Sequence, residues 1–291
     1  SSLSVGNAAR LLAAIRENLN LCTDYELTFE GRIHDLVPER IETWLSGGVN
    51  RISLGVQSFD TILRRRVGRI EPREEVLARL TLLKRWDVTV IVDMIYGLPG
   101  QTLDLWMKDI ATLLEASIDG MDLYQLNVFP HGDLARAVQA GRVPPCADIA
   151  GQADLYHAAR DFLTTHGIER LSLCHWRRDP RERSLYNTLA KTGAVVYPFG
   201  CGAGGNVGGI SFMHHRSIEV YHEAIARGEK PIMMMEQQKP KKLRSVSNEI
   251  IAGLEKGFVD LHRLTSLDTR LEELRILLCI WQENGLMYEE N

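Results

Sequence analysis

Four polar side chains occupy matching places in the first half of this chain. Glu30, Gln57, Asp93 and Asn127 each follow a short apolar run, and 27, 36 and 34 residues separate them in turn. That spacing is the length of one strand–helix unit. Right-handed connections between parallel strands bring such strand ends to one rim of a sheet, the rim where barrel enzymes carry their chemistry. The four residues are therefore expected to converge on one ligand. Each also has a plainer reading. Glu30 could be a solvated loop residue or the partner of a helix terminus. Gly55, two residues before Gln57, lets backbone or ligand approach closely, while Ser58 or Asp60 could cap the next helix. Asp93 closes the run Val88–Val92, which reads as buried on both faces, and an ionised Asp there needs partners.

The elements that would position these residues alternate regularly. A helix is expected over 7–20, with Leu11, Leu12, Ile15 and Leu19 on one stripe. Strand 25–30 precedes helix 38–46, and strand 50–56 precedes helices near 59–65 and 72–85. Strand 88–94 precedes helix 103–116, and strand 121–127 runs into a loop. The alternation argues for a parallel α/β sheet or barrel, but four strands are too few to close a barrel of eight. Beyond Asn127 come a helix near 133–140, a boundary at Pro144-Pro145, a helix over 149–166 and a strand-like run from Glu169 to Leu173. The tail is helical from Ser245, with Leu271, Leu274, Leu277, Leu278 and Trp281 at helical spacing. Three segments are expected: 1–143 as the partial barrel, 144–240 as its extension with a glycine-rich loop, and 241–291 as a helical region.

Composition bounds the possibilities. The chain has 291 residues, is 45% hydrophobic and carries a net charge of −4, which is ordinary globular composition with no nucleic-acid footprint. The basic run Lys239–Arg244 reads as a solvated linker. No apolar run is long enough to span a membrane, and no signal peptide opens the chain. The five cysteines are dispersed, which suits a reduced, cytoplasmic protein. Neither they nor the nine histidines show metal-site spacing, so no metal ligand is assigned.

Other residues stay open. Arg69 lies between two expected helices and by itself reads as a surface cation. The turn Tyr96–Thr102 feeds a helix that Thr102 could cap, and its glycines could serve chain reversal alone. The glycine-rich stretch 198–210 could cradle a ligand with backbone N–H groups or be a flexible loop. Met233–Met235 could fill a core or pad an apolar ligand face. His175, His214 and His215 read as structural or as ligands.

The string GVNRISLGVQSFD at 48–60, LRRRVGR at 63–69 and VIVDMIYGLPGQT at 90–102 resemble the coproporphyrinogen oxidase-like branch of the radical S-adenosylmethionine (SAM) superfamily. The resemblance covers about residues 1–230 and, more weakly, the helical tail. It implies a partial (β/α)6 barrel of TIM type whose first strands are missing from this chain, followed by a mostly helical C-terminal region. Glu30, Gln57, Arg69 and Asp93 fall on positions that contact SAM in the family, and Asn127 and Phe129 align there more loosely. Gly204 and Asn206 match a loop near a second SAM. Four further stretches are similar to the haem-utilisation members of the branch, the anaerobilin synthase-like methyltransferases: FEGRIHDL at 29–36, LNVFPHG at 126–132, HWRRDPRERSLYN at 175–187 and FGCGAGG at 199–205.

The resemblance implies anaerobic haem ring opening with methyl transfer and iron release. Oxidative decarboxylation of coproporphyrinogen III and non-catalytic haem trafficking are the alternatives. The implied cofactors are SAM, as radical source and as methyl donor, and a [4Fe–4S] cluster. The implied partners are a tetrapyrrole and a low-potential electron donor such as flavodoxin or ferredoxin, with no nucleic acid and no membrane. Candidate substrate contacts are Arg177 and Arg178 for propionates, Met233–Met235 for the tetrapyrrole plane, and His175, His214 or His215 for iron. One departure stands out. The family holds its cluster with CxxxCxxC, and this chain has no such motif. The chain thus reads as a fragment of such an enzyme or as a relative that has lost the chemistry, and its non-Met start favours the fragment.

Overall fold

A computed structural model describes residues 3–116, 118–238, 241–268, 272–285 and 287. Two compact units make up the chain, Ser1–Arg183 and Ser184–Asn291. The expected divisions after residues 143 and 240 do not coincide with that junction.

The first unit begins with helix α1 (Val5–Asn18), then strand β1 (Thr28–Gly31), helix α2 (Pro38–Ser46) and strand β2 (Arg51–Gln57). Two helices, α3 (Thr61–Arg66) and α4 (Arg73–Leu83), lead to β3 (Thr89–Tyr96), and α5 (Leu103–Glu115) leads to β4 (Gly120–Gln125). β1 to β4 are parallel, and each pairs with its neighbour in sequence. That is the winding of a barrel wall. Caps set the helix starts. Asp60 accepts the Ile62 and Leu63 N–H groups, and Thr102 accepts that of Leu105.

Side-chain alternation gives the sheet two unlike faces. On β2, Ile52, Leu54 and Val56 are fully buried and share a core with Trp44, Val76, Leu83 and Ile110 of the covering helices. Each such side chain contributes roughly 1.5–3 kcal/mol. The alternate residues Arg51, Ser53, Gly55 and Gln57 face the other way and are polar or small. β3 follows suit at its upper end: Val92 and Met94 are buried, whereas Asp93 and Ile95 are partly open. The double burial expected around Asp93 therefore holds only at the base of that strand. Helix α1 differs from its predicted stripe. It buries Ala8 and Leu12 and exposes Leu11, because Leu12 seats on Gly47, where a Cβ would lie 2.4 Å from Leu12 Cδ1, and Leu19 is exposed just past its end.

After β4 come α6 (Asp133–Gln139) and α7 (Ile149–Thr165). The predicted strand 169–173 is shorter, β5 (Glu169–Arg170), and turns back as β6 (His175–Arg177). β6 pairs antiparallel with β4 and with β5, closing a six-stranded sheet in the order β1-β2-β3-β4-β6-β5.

The second unit holds α8 (Leu185–Lys191) and a three-stranded antiparallel sheet. Its strands are β7 (Gly204–Val207), β8 (Ile210–His214) and β9 (Ile232–Gln237), with α9 (Ile218–Ala226) between the last two. No sequence pattern announced this sheet. Helices α10 (Lys241–Lys256), α11 (Leu261–Leu267) and α12 (Leu274–Glu283) follow. On α12, Leu274, Leu278 and Trp281 are half-buried and Leu277 is exposed, while Leu271 lies outside the described residues. The expected linker is replaced in part by helix, since Lys241–Arg244 open α10, and Lys239 and Pro240 lie outside the described residues.

Candidate functional site

The upper rim of the parallel sheet gathers polar groups. In the strand register Glu30 is the neighbour of Ser53, Gly55 of Asp93, and Asp93 of Asp122. The Ser53 hydroxyl donates to Asp93 Oδ1 at 2.9 Å. Burial, with the nearby Asp122 charge, pushes the Asp93 carboxyl up to about 6. Asp93 at this position thus gains from any cation that reaches it. Gly55 leaves room beside it. A Cβ there would lie 2.7 Å from Gln57 Nε2 and 3.5 Å from Arg69 Nη2, so both groups lie over Gly55.

Arg69 is therefore no surface cation. It is half-buried, and burial together with the Arg32 charge lowers its pKa. Gln57 takes a left-handed backbone conformation, φ 72°, at a bulge that shifts the β2–β3 register. Strain of this kind is concentrated at functional sites. Among the described residues, no hydrogen bond engages the side chains of Glu30, Gln57 or Arg69. Glu30 and Asn127 are exposed, and Phe129 is 75% exposed on the loop beyond β4. The turn Gly97–Gln101 is accounted for by chain reversal: the Gln101 side chain accepts the Gly97 and Leu98 N–H groups and donates to the Ile95 carbonyl.

Below the rim lies a buried chain of charges that the sequence did not reveal. Asp122 Oδ1 lies 2.9 Å from His175 Nδ1, and Glu182 Oε1 lies 2.9 Å from His175 Nε2. The Arg51 guanidinium grips Glu182 through both carboxylate oxygens, at 2.8 and 3.0 Å. Burial alone would lower the His175 pKa, but the two carboxylates outweigh it and raise it to about 9. The ring is thus an imidazolium at neutral pH. Arg51, Ser53, Gly55 and Gln57 alternate along β2, and that polar alternation was the available signal. Glu182 gave none, since it lies 131 residues from Arg51.

The proposed substrate contacts fare unequally. Both His175 nitrogens are engaged by carboxylates, which leaves no lone pair for a metal. Arg177 pairs with Glu169, and Arg178 donates to the Leu114 carbonyl. In the second unit His214 is buried, and its Nδ1 lies 3.0 Å from the Gly200 carbonyl oxygen. His215 is half-buried. Met233, Met234 and Met235 fill no core: they are 46%, 55% and 60% exposed on β9. Gly204 and Asn206 belong to β7. The Asn206 N–H is taken by the Val196 carbonyl at 2.9 Å, and that of Gly202 by His215 at 2.8 Å. Gly205 has no side chain because the Val196 carbonyl would lie 2.3 Å from its Cβ. Much of the glycine-rich stretch therefore serves strand pairing.

Comparison with known proteins bears on these observations. Residues 8–113 match the radical SAM superfamily. Anaerobilin synthase of Escherichia coli O157:H7 is 38% identical over 289 residues, which is 98% of this chain and 63% of that protein. The heme chaperone HemW of Lactococcus lactis is 31% identical over 258 residues, 88% of this chain and 66% of the relative. The chain thus spans just under two thirds of the length of each. Among solved structures, the coproporphyrinogen III oxidase HemN of Escherichia coli, a radical SAM enzyme, superposes with a TM-score of 0.82. The match covers 99% of this chain and 70% of that one, at 19% identity.

Radical SAM proteins use SAM and a [4Fe–4S] cluster. The cluster does not fit the residues present. All five cysteines are free, and the described residues contain no group of His, Cys, Asp or Glu disposed to hold a metal. SAM does fit. The space over Gly55 that a Cβ would fill is bordered by an uncommitted amide and an uncommitted guanidinium, and the Asp93 carboxyl, which burial makes easier to protonate, is the register neighbour of Gly55. Among the described residues no helix is long and apolar enough to cross a membrane. Residues 8–113 are therefore a radical SAM domain, seated in a chain with the fold of coproporphyrinogen III oxidase.

Proposed function

We propose that this chain is the SAM-binding and substrate-binding part of a tetrapyrrole enzyme that opens haem anaerobically, with methyl transfer and release of iron. The carrying observation is the rim over Gly55, where Gln57, Arg69 and Asp93 converge. Similarity to anaerobilin synthase along nearly the whole chain supports the choice of substrate.

In this reading Asp93 and Glu30 accept hydrogen bonds from the amino group and ribose hydroxyls of SAM. Charged acceptors make the stronger bonds. Arg69 offers its guanidinium to the carboxylate end of the ligand, and Gln57 adds an amide that can donate or accept. Bound SAM supplies the radical precursor and the methyl group. The helix-covered apolar face of the sheet excludes water from one side of the site. For haem, the exposed Met233–Met235 suit a broad apolar plane. His215, and the Nε2 of His214, remain as candidates for iron; His175 is withdrawn because carboxylates hold both its nitrogens. Gly204 and Asn206 stay as candidate contacts for the second SAM, with the Asn206 side-chain amide as the group to reach it, since both backbone groups of Asn206 pair with Val196.

The rival reading, decarboxylation of coproporphyrinogen III, would ask for more cations and no axial histidine. A third reading, haem carriage without chemistry, draws on similarity to the heme chaperone. One assay separates them. The full-length protein is given SAM, a low-potential reductant and either tetrapyrrole without oxygen. Loss of the Soret band with free iron supports haem opening. Decarboxylated product from coproporphyrinogen III with haem untouched supports the rival. Binding of haem without turnover of either supports carriage, and both latter outcomes overturn the proposal.

A further inference from the structure

Gln57 is one of two non-glycine residues with positive φ among the described residues. Side chains at such positions crowd their own backbone, and the conformation persists only where surroundings impose it. One residue grips both sides of this position. Arg64 on α3 is 1% exposed, and its guanidinium reaches the carbonyl oxygens on both sides of Gln57: Val56 O at 2.5 Å and Ser58 O at 3.2 Å, both from Nη1. The rest of the fork holds the far end of the same segment. Nε donates to the Glu71 carbonyl at 2.8 Å, and Nη2 lies 3.2 Å from the Glu71 carboxylate. The Arg64 carbonyl in turn accepts the Arg69 N–H at 2.9 Å. A second anchor lies just beyond, where Asp109 accepts the Ser58 hydroxyl at 2.6 Å and the Phe59 N–H at 2.8 Å.

We propose that Arg64 is a positioning residue for the adenosyl ligand: by bridging the carbonyls that flank Gln57 and tethering the start of Arg69, it keeps the Gln57 amide and the Arg69 guanidinium poised over Gly55. The inference rests on the SAM reading of the rim. Arg64 itself touches no ligand. Its planar fork spans four acceptors that a single ammonium cannot span, so lysine is not an equivalent replacement. A purely structural arginine would stabilise the segment without governing the geometry of Gln57. A positioning arginine governs both.

The test compares this chain with its Arg64→Lys variant. S-adenosylhomocysteine is the probe, titrated by calorimetry, and the crystal structure of the variant reports the Gln57 backbone. Exposed Arg65→Met serves as the neutral control. The expected result is loss of tenfold or more in affinity for Arg64→Lys, with Gln57 leaving the left-handed region and the circular dichroism unchanged. A second background separates positioning from support. Glycine adopts positive φ freely, so on Gln57→Gly the Arg64→Lys change should shift affinity by much less than on the parent chain. Equal losses on both backgrounds, or an unmoved Gln57 with affinity within twofold, overturn the proposal. If Arg64→Lys fails to fold, Glu71→Gln, which loosens one arm of the fork, takes its place under the same criteria. If the parent chain binds no probe, the SAM reading fails, and the position of Gln57 in the variant still decides whether Arg64 holds it.

Discussion

Replacing His175 by Gln should reveal the buried charge chain as a pH-dependent contribution to stability. The ring bridges Asp122 and Glu182, both at 2.9 Å, in a setting where His175 is only 2% exposed. Its pKa in the folded protein is about 9, against about 6.5 in an unfolded chain. The difference of roughly 2.5 units corresponds to about 3 kcal/mol at 1.36 kcal/mol per unit. Because the folded value is the higher, folding binds the proton more tightly. The contribution is fully present below about pH 6.5 and is lost as pH rises through about 9. Glutamine carries no charge at any pH, so the gap between parent and variant should be widest near pH 6. It should narrow by about 3 kcal/mol towards pH 10, on top of a constant packing difference. Urea unfolding of both proteins at several pH values measures this. Tryptophan fluorescence reports mainly the first unit, which holds Trp44, Trp86, Trp106 and Trp176. Other groups that titrate in this range do so in both proteins and cancel in the difference. A gap that stays constant from pH 6 to pH 10 would show that His175 is neutral in the fold, and the charge chain would have to be redrawn.

Two further outcomes follow from the rim. Gly55→Ala places a Cβ 2.7 Å from the Gln57 amide nitrogen, the movable end of a side chain, so the fold should survive with little loss of stability; affinity for S-adenosylhomocysteine should fall about tenfold, near 1.4 kcal/mol, and unchanged affinity in calorimetry would place the ligand elsewhere. Asp93 holds its proton up to about pH 6, so binding of the ligand's ammonium should weaken as pH falls through that value, by up to about tenfold per unit below it; Asp93→Asn should bind weakly with a flat pH profile, and a wild-type profile flat between pH 5 and 7 would contradict the role of Asp93.

Much of the first unit was legible because its signals are local. Each parallel strand ends one βα unit after the last, and two of the helices carry readable side-chain caps, Asp60 and Thr102. Glu30, Gln57 and Asp93 could be placed on one rim from spacing alone. What escaped depends on contacts between residues distant in the chain. β6 is three residues long and acquires its place only by pairing with β4. Strands β7 to β9 form an antiparallel sheet from stretches whose glycines and methionines read as loop or core. Glu182 sits in an arginine-rich run that looks like surface, yet it is fully buried because Arg51 and His175 reach it from elsewhere. Arg64 was likewise hidden. Three consecutive arginines suggest a solvated face, and only the path of the chain around Gln57 turns one of them inward.

The central claim is that the rim over Gly55 binds SAM. A crystal structure of this chain soaked with SAM tests it most directly. The account predicts the ligand over Gly55, with its polar groups within hydrogen-bond distance of Gln57, Arg69 and Asp93. Density for SAM at any other place, with those three side chains still uncommitted, would contradict it.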